Sequence, residues 1–115
     1  MNSSWTVTAR RYDTGRPVTV RFAEGKIAQI EPAAHSDDLP WIAPGLIDLQ
    51  VNGAQGVEFN APQLTVDQVH TACQTLLGWG VTSFLATCTT DSQERLEQSV
   101  RMLRRAMETD ELVAR

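Results

Sequence analysis

The sequence reads as an α/β chain in two parts: a β-rich start over residues 1–42, then a β-loop-α-β-α run over residues 43–115. Three observations carry this. The first forty residues alternate loosely between apolar and polar side chains, with turn-forming residues between the runs, which is the period-two signature of strands. Two later runs, "WIAPGLIDLQV" and "VTSFLATC", are almost continuously apolar, as strands of a buried parallel sheet are. Each is followed by a segment of helical period, and strands alternating with helices imply a parallel sheet.

The elements follow in order. "WTVTARRY" is rich in β-formers, and "DTGRP" after it has turn chemistry. "VTVRFAEGKIAQIEP" is a hairpin: Val18, Val20 and Phe22 share one face, Thr19 and Arg21 the other, Glu24-Gly25-Lys26 turns, and Ile27 and Ile30 resume the strand. "AAHSDDLP" is a polar loop, an ordinary home for an exposed His35. Trp41 to Val51 is expected to be one strand, and "NGAQGVEFNAPQL" a long Gly-bearing loop. Thr65 and Gln68 have capping-box spacing at the start of a helix whose apolar stripe is Val66, Val69, Cys73, Leu76 and Leu77. Gly80 suits its left-handed C′ position. His70 falls inside this helix and is read as structural or exposed. After the second strand, Asp91 with Glu94 is expected to open a second helix with the stripe Leu96, Val100, Leu103 and Met107.

Composition narrows the function. At 115 residues the chain fits one small domain, and a formal net charge of −4 lacks the basic footprint of a nucleic-acid binder. The arginines at 101, 104 and 105 are flanked by acids and read as a solvated helix face. No run approaches the roughly 18 apolar residues of a membrane span. The N-terminus has no apolar signal core, so a cytoplasmic location is expected. Cys73 and Cys88, the only cysteines, lack metal or redox spacing and read as reduced, buried small hydrophobes.

The chemistry concentrates at the end of the first apolar run. In "APGLIDLQVNG", Gln50 and Asn52 lie two apart and so point to one face of a strand. Asp48 precedes them and is read as structural, orienting the strand end or accepting backbone N–H bonds. Gly53 and Gly56 let the following loop bend. Thr87, Thr89 and Thr90 follow the second strand.

"APGLIDLQVNGAQGVEFN" with "GVTSFLATCTTDS", about Trp41 to Ser92, resembles the N-terminal region of the N-acetylglucosamine-6-phosphate deacetylases of the amidohydrolase superfamily. Members open with a small β-sandwich segment and enter a (β/α)8 barrel through a Pro-Gly-x-x-Asp-x-His-x-His strand. Here Pro44, Gly45 and Asp48 are in place, and Gln50 and Asn52 stand where the histidines would be, a variant typical of one branch of these deacetylases. Glu58 stands where relatives usually have Asp, and Ala86 where Pro is usual. The resemblance implies a β-sandwich segment (1–42) followed by the first two βα units of a metal-dependent hydrolase TIM barrel (43–115). Since such a barrel takes about 250 residues, it also implies an incomplete one.

The implied reaction is metal-dependent hydrolysis of the acetamide of N-acetylglucosamine 6-phosphate to glucosamine 6-phosphate and acetate. The implied cofactor is a divalent metal ion, zinc first, which activates water and polarises the carbonyl. Active sites of such barrels lie at the C-terminal ends of the strands, so the resemblance makes Asp48, Gln50, Asn52, Gly53 and Thr87 the site-lining candidates. Neutral amides are poorer ligands than imidazole, so Gln50 and Asn52 are expected to line the site by hydrogen bonding. The metal ligands and the acid/base carboxylate are expected beyond Arg115, with no catalytic residue in this chain. The chain then reads as a fragment, inactive alone, of an enzyme that is a homo-oligomer at full length and binds neither nucleic acid nor membrane. The alternatives are a fragment of a dihydroorotase- or hydantoinase-type amidohydrolase, which usually keeps His-x-His here, or a non-catalytic interaction module.

Overall fold

The computed structural model describes residues 4–114, in two compact units that divide between Pro44 and Gly45. In the first unit β1 (Ser4–Arg11), β2 (Pro17–Ala23) and β3 (Lys26–Pro32) form an antiparallel meander. The short β4 (Trp41–Ile42) adds in parallel beside β1, giving the order β3-β2-β1-β4. The β2–β3 turn is the two residues Glu24 (φ 52°) and Gly25 (φ 72°), and left-handed pairs of this kind match the twist of the flanking strands. The expected alternation holds in β2: Val18 and Val20 are buried with Ala9 of β1, and Phe22 stacks on Trp5 with ring centroids 4.1 Å apart. β3 behaves differently. All seven of its residues are exposed, so Ile27 and Ile30 resume the strand without entering a core.

The expected single strand from Trp41 to Val51 is two. Trp41 and Ile42 pair with Arg10 and Arg11 in the first unit, and the next strand starts only at Leu46. Pro44 between them has no N–H to give to a ladder, which stops the run.

In the second unit β5 (Leu46–Val51) pairs in parallel with β8 (Val81–Ala86), and α1 (Val66–Gly78) is the crossover between them. The segment expected as a loop contains a hairpin of two-residue strands, β6 (Gly53–Ala54) and β7 (Val57–Glu58). Helix α2 (Gln93–Thr109) follows β8. The centre of the packing is Phe59, wholly buried among Val51, Ala54, Ala72 and Leu76 and stacked on Phe84 of β8 at 6.1 Å. Gly45 permits close approach at the other end of the strand pair, since a Cβ there would meet the side chain of Thr82.

α1 begins as its sequence predicts. Thr65 Oγ1 accepts from Gln68 N–H and Gln68 Oε1 accepts from Thr65 N–H, and Gly80 beyond its end takes φ 86°. Its buried face is Val69, Ala72, Cys73 and Leu76; Leu77 turns outward at 49% exposure. α2 departs from expectation in two ways. Ser92, not Asp91, is its cap and accepts from Arg95 N–H, while Asp91 accepts from Ser92 N–H. Its buried residues are Ser99 and Ala106, whereas Val100 and Met107 of the expected stripe are exposed. Ala106 sits in one cluster with Val69 and Cys73 of α1 and Leu64. Leu103 of the expected stripe packs against both core clusters and Met102 against this one, so the buried face is turned from the expected one and includes the small Ala106 against α1. The strands also differ from the doubly buried type: Leu46, Ile47, Leu49 and Leu85 are each more than half exposed.

His70 is structural, as expected. Its Nδ1 lies 2.8 Å from Asp110 Oδ2, and Asp110 Oδ1 accepts from the backbone N–H groups of Leu112 and Val113. The pair ties α1 to the end of α2 and the turn beyond it. Leu112 and Val113 of that turn pack on the Leu64–Val69–Cys73–Ala106 cluster. The Val113 N–H, and after it the His70 ring, hold the Asp110 carboxyl below the ordinary carboxylate range against its partial burial.

Two outcomes follow. Phe59→Ala removes a fully buried ring and should cost about 3–5 kcal/mol in a urea titration of the chain; a loss under about 1 kcal/mol would show that the core does not centre there. A depressed carboxylate stabilises the fold above its unfolded pKa near 4, and that contribution is lost as pH falls through its lower folded value. The thermal midpoints of wild type and Asp110→Asn should therefore differ at pH 7 and converge below about pH 4, read by circular dichroism. A gap that stays constant with pH would contradict this role.

Candidate functional site

The C-terminal ends of β5 and β8 come together because the strands are parallel. Their last backbone bond runs from Thr87 N–H to Val51 C=O, at 2.8 Å. Past that point side chains continue the ladder. Asn52 Nδ2 donates to Thr87 C=O at 3.2 Å. Asn60 Nδ2 donates to Thr89 C=O at 3.0 Å, and its Oδ1 accepts from Thr89 N–H at 2.7 Å. A carboxamide carries a donor and an acceptor side by side, as a peptide group does. Asn60 therefore gives Thr89 the two bonds that a neighbouring strand would have given.

The segment from Asn52 to Asn60 is built to place these amides. Phe59 N–H donates to Asn52 C=O at 2.9 Å and closes the loop. Within it Gln55 (φ 52°) and Gly56 (φ 79°) form the two-residue turn between β6 and β7. Gly53 has φ 149°, and a Cβ on it would run into the Val57 carbonyl oxygen, so no other residue fits there. An open concavity of about 770 Å³ lies over this loop, with Asn52, Gly53, Glu58, Asn60, Trp79 and Thr89 among its walls.

Gln50 and Asn52 are both exposed and flank the buried Val51. The strand is not regular there. Asp48 pairs with Phe84 and Val51 with Ala86, so β5 carries one extra residue, a bulge. Within it the Gln50 N–H goes to Asp48 Oδ1 at 3.0 Å, which gives half-buried Asp48 a local backbone role. Thr87 turns its hydroxyl back to Leu85 C=O at 3.1 Å and offers its carbonyl to Asn52. The structure thus gathers Asn52, Gly53 and Thr87 at the joined strand ends. Asp48, Gln50 and Thr87 do not line the concavity. Asn60 was not among the sequence candidates. The sequence around it, with further amides at Asn52, Gln55 and Gln63, carries no signal that singles it out.

The donor set does not suit a divalent metal. Asn52 offers only a neutral amide oxygen, a poorer ligand than imidazole, with no ligand group of His, Cys or carboxylate side chains around it among the described residues; His35 lies in the first unit with Nε2 3.2 Å from Asp37 Oδ1, and His70 is held by Asp110. Among the described residues no three His, Cys, Asp or Glu side chains come together as a ligand group. Burial, and secondarily the charge of Asp110, push the Cys73 thiol up, so it is a poor nucleophile at neutral pH. No helix among the described residues is long and apolar enough to cross a membrane.

No family model matches the chain. Over 79 residues, 67% of this chain, it is 37% identical to the N-acetylglucosamine-6-phosphate deacetylase of Haemophilus influenzae and spans 20% of that protein. The crystal structure of N-acetylglucosamine-6-phosphate deacetylase from Pasteurella multocida superposes with a TM-score of 0.72 and 26% identity, over 95% of this chain and 32% of that one. By sequence and by fold the chain is a relative of these deacetylases, and it spans a fifth to a third of their length.

Gly53→Ala tests the loop. It forces a side chain onto the Val57 carbonyl in a conformation that suits glycine, and should destabilise the chain by roughly 1–3 kcal/mol. Unfolding with chemical denaturant, at a slope unchanged from wild type, measures it; a stability equal to wild type would mean the loop is free to rearrange.

Proposed function

We propose that this chain is the opening part of an N-acetylglucosamine-6-phosphate deacetylase. In this reading residues up to 42 belong to a small β-sandwich domain. From residue 43 the chain supplies the first two βα units of a (β/α)8 barrel. The observation that carries it is the sequence match across the "PGLIDLQVNG" strand, with Asn52 held at the strand end where barrel active sites lie. With Asn52 Nδ2 engaged on Thr87, its Oδ1 is the atom left to accept from a substrate N–H or an ordered water. Gln50, exposed two residues before it and outside the concavity, adds a second neutral amide at the strand end. Together with Thr87 they line the site and orient, without holding the metal.

The chemistry is hydrolysis of the acetamide of N-acetylglucosamine 6-phosphate, in a cytoplasmic homo-oligomer that meets neither nucleic acid nor membrane. The divalent metal, zinc first, is in this reading bound by residues outside these 115; the ties of His35 to Asp37 and of His70 to Asp110 support that. The 115 residues alone therefore turn nothing over.

Reading the source frame past the Arg115 codon, and assaying the protein it encodes, tests this. Release of acetate from N-acetylglucosamine 6-phosphate, and none of ring-opened product from a cyclic amide, is the expected result. The isolated chain should show no turnover, and its thermal midpoint should be the same with zinc or with a chelator. A metal-dependent shift of that midpoint, or turnover of the cyclic amide instead, would overturn the reading.

A further inference from the structure

We infer that Asn60 is a positioning residue of the candidate site, acting through Thr89; the inference rests on the deacetylase reading above. The backbone ladder between β5 and β8 ends at Thr87 N–H. The chain from Thr87 to the α2 cap at Ser92 carries three threonines over the end of the strand pair, and Thr89 and Thr90 are exposed. Without further bonds this segment would take many conformations, because its N–H and C=O groups can be satisfied by water. Asn60 removes that freedom. Its carboxamide binds both backbone polar groups of Thr89, at 3.0 and 2.7 Å, across 29 residues of sequence. Two contacts to one residue fix orientation as well as distance.

Asn60 is itself fixed. It follows Phe59, the wholly buried ring whose N–H is tied to Asn52. Asn52 reaches Thr87 in the same way, so two amides hold the exit of β8 at alternate residues. The arrangement explains why an amide stands at position 60: aspartate would keep the acceptor but lose the donor, and alanine would lose both. Since Thr89 is exposed, its freed groups would find water, and loss of the clamp should cost little folding stability. The cost falls on the alignment of a segment at the site, where small displacements slow a reaction strongly.

The test uses the protein encoded by the complete reading frame. Asn60→Ala should lower kcat on the order of tenfold, with KM within about twofold and the thermal midpoint unchanged. Asn60→Asp should fall between the two. In the same variants, amide exchange at Thr89 should speed up in Asn60→Ala and less so in Asn60→Asp. Wild-type kcat and KM in Asn60→Ala would overturn the positioning role alone, as would a loss matched by a fall in the folded fraction. If the parent protein turns over no N-acetylglucosamine 6-phosphate while Thr89 is protected, the deacetylase reading fails and the positioning role fails with it.

Discussion

The burial of Phe59 is the constraint on which the second unit depends. Its ring is the largest wholly buried side chain there, stacked on Phe84 of β8 and enclosed by residues of β5, β6 and α1. Those contacts hold the crossover helix, the strand pair and the small hairpin to one another. They also set the site. The Phe59 backbone closes the loop on Asn52, and the next residue, Asn60, is thereby placed opposite Thr89. A single apolar anchor thus puts two polar side chains at the strand ends with little freedom of their own.

The strand pair needs that help because its ladder is short and irregular. Register slips once near each end, between Leu46 and Ile47 and between Asp48 and Val51. Each slip removes regular pairing, and the groups it strands must bond elsewhere. At Gln50 the bond goes to Asp48, and at Thr87 and Thr89 it goes to Asn52 and Asn60. Polar side chains in this unit therefore serve the backbone first, and any chemistry is done with the atoms that remain.

Much of the fold was legible where local rules decide. The Glu24-Gly25 turn, the Thr65–Gln68 capping box, Gly80 at the end of α1 and the βαβα order all rest on short-range chemistry that a sequence displays. Gln55-Gly56 makes the same two-residue turn as Glu24-Gly25, yet went unread because its strands are only two residues long and show no alternation. The face of α2 was misjudged for a different reason. Val100 and Met107 are more apolar than Ala106, but it is the small Ala106 that sits in the cluster with Val69 and Cys73 of α1, and only the partner helix reveals that. Apolar runs in β5 and β8 signalled strands correctly and burial wrongly, because the helices cover one face of the pair and Ile47, Leu49 and Leu85 stand clear of the core. Of the site, Asn52 and Gly53 could be named from their spacing and backbone chemistry. Asn60 could not, since its role depends on a contact 29 residues away.

Fold alone does not supply function, and the character of the strand-end face bears on which part of a substrate it would meet. Among the described residues lining the concavity, Glu58 is the one ionisable group; the others offer amides, a hydroxyl, an indole and apolar or backbone surface. A phosphate group calls for cations or clustered N–H donors. Neutral carboxamides suit hydroxyl and acetamido groups, which donate and accept without charge. The lining of this concavity therefore suits uncharged hydrogen-bonding groups better than a phosphate. At this strand end Gln50 and Asn52 are uncharged hydrogen-bonding groups, and Asn52 is already oriented by the Thr87 carbonyl it holds.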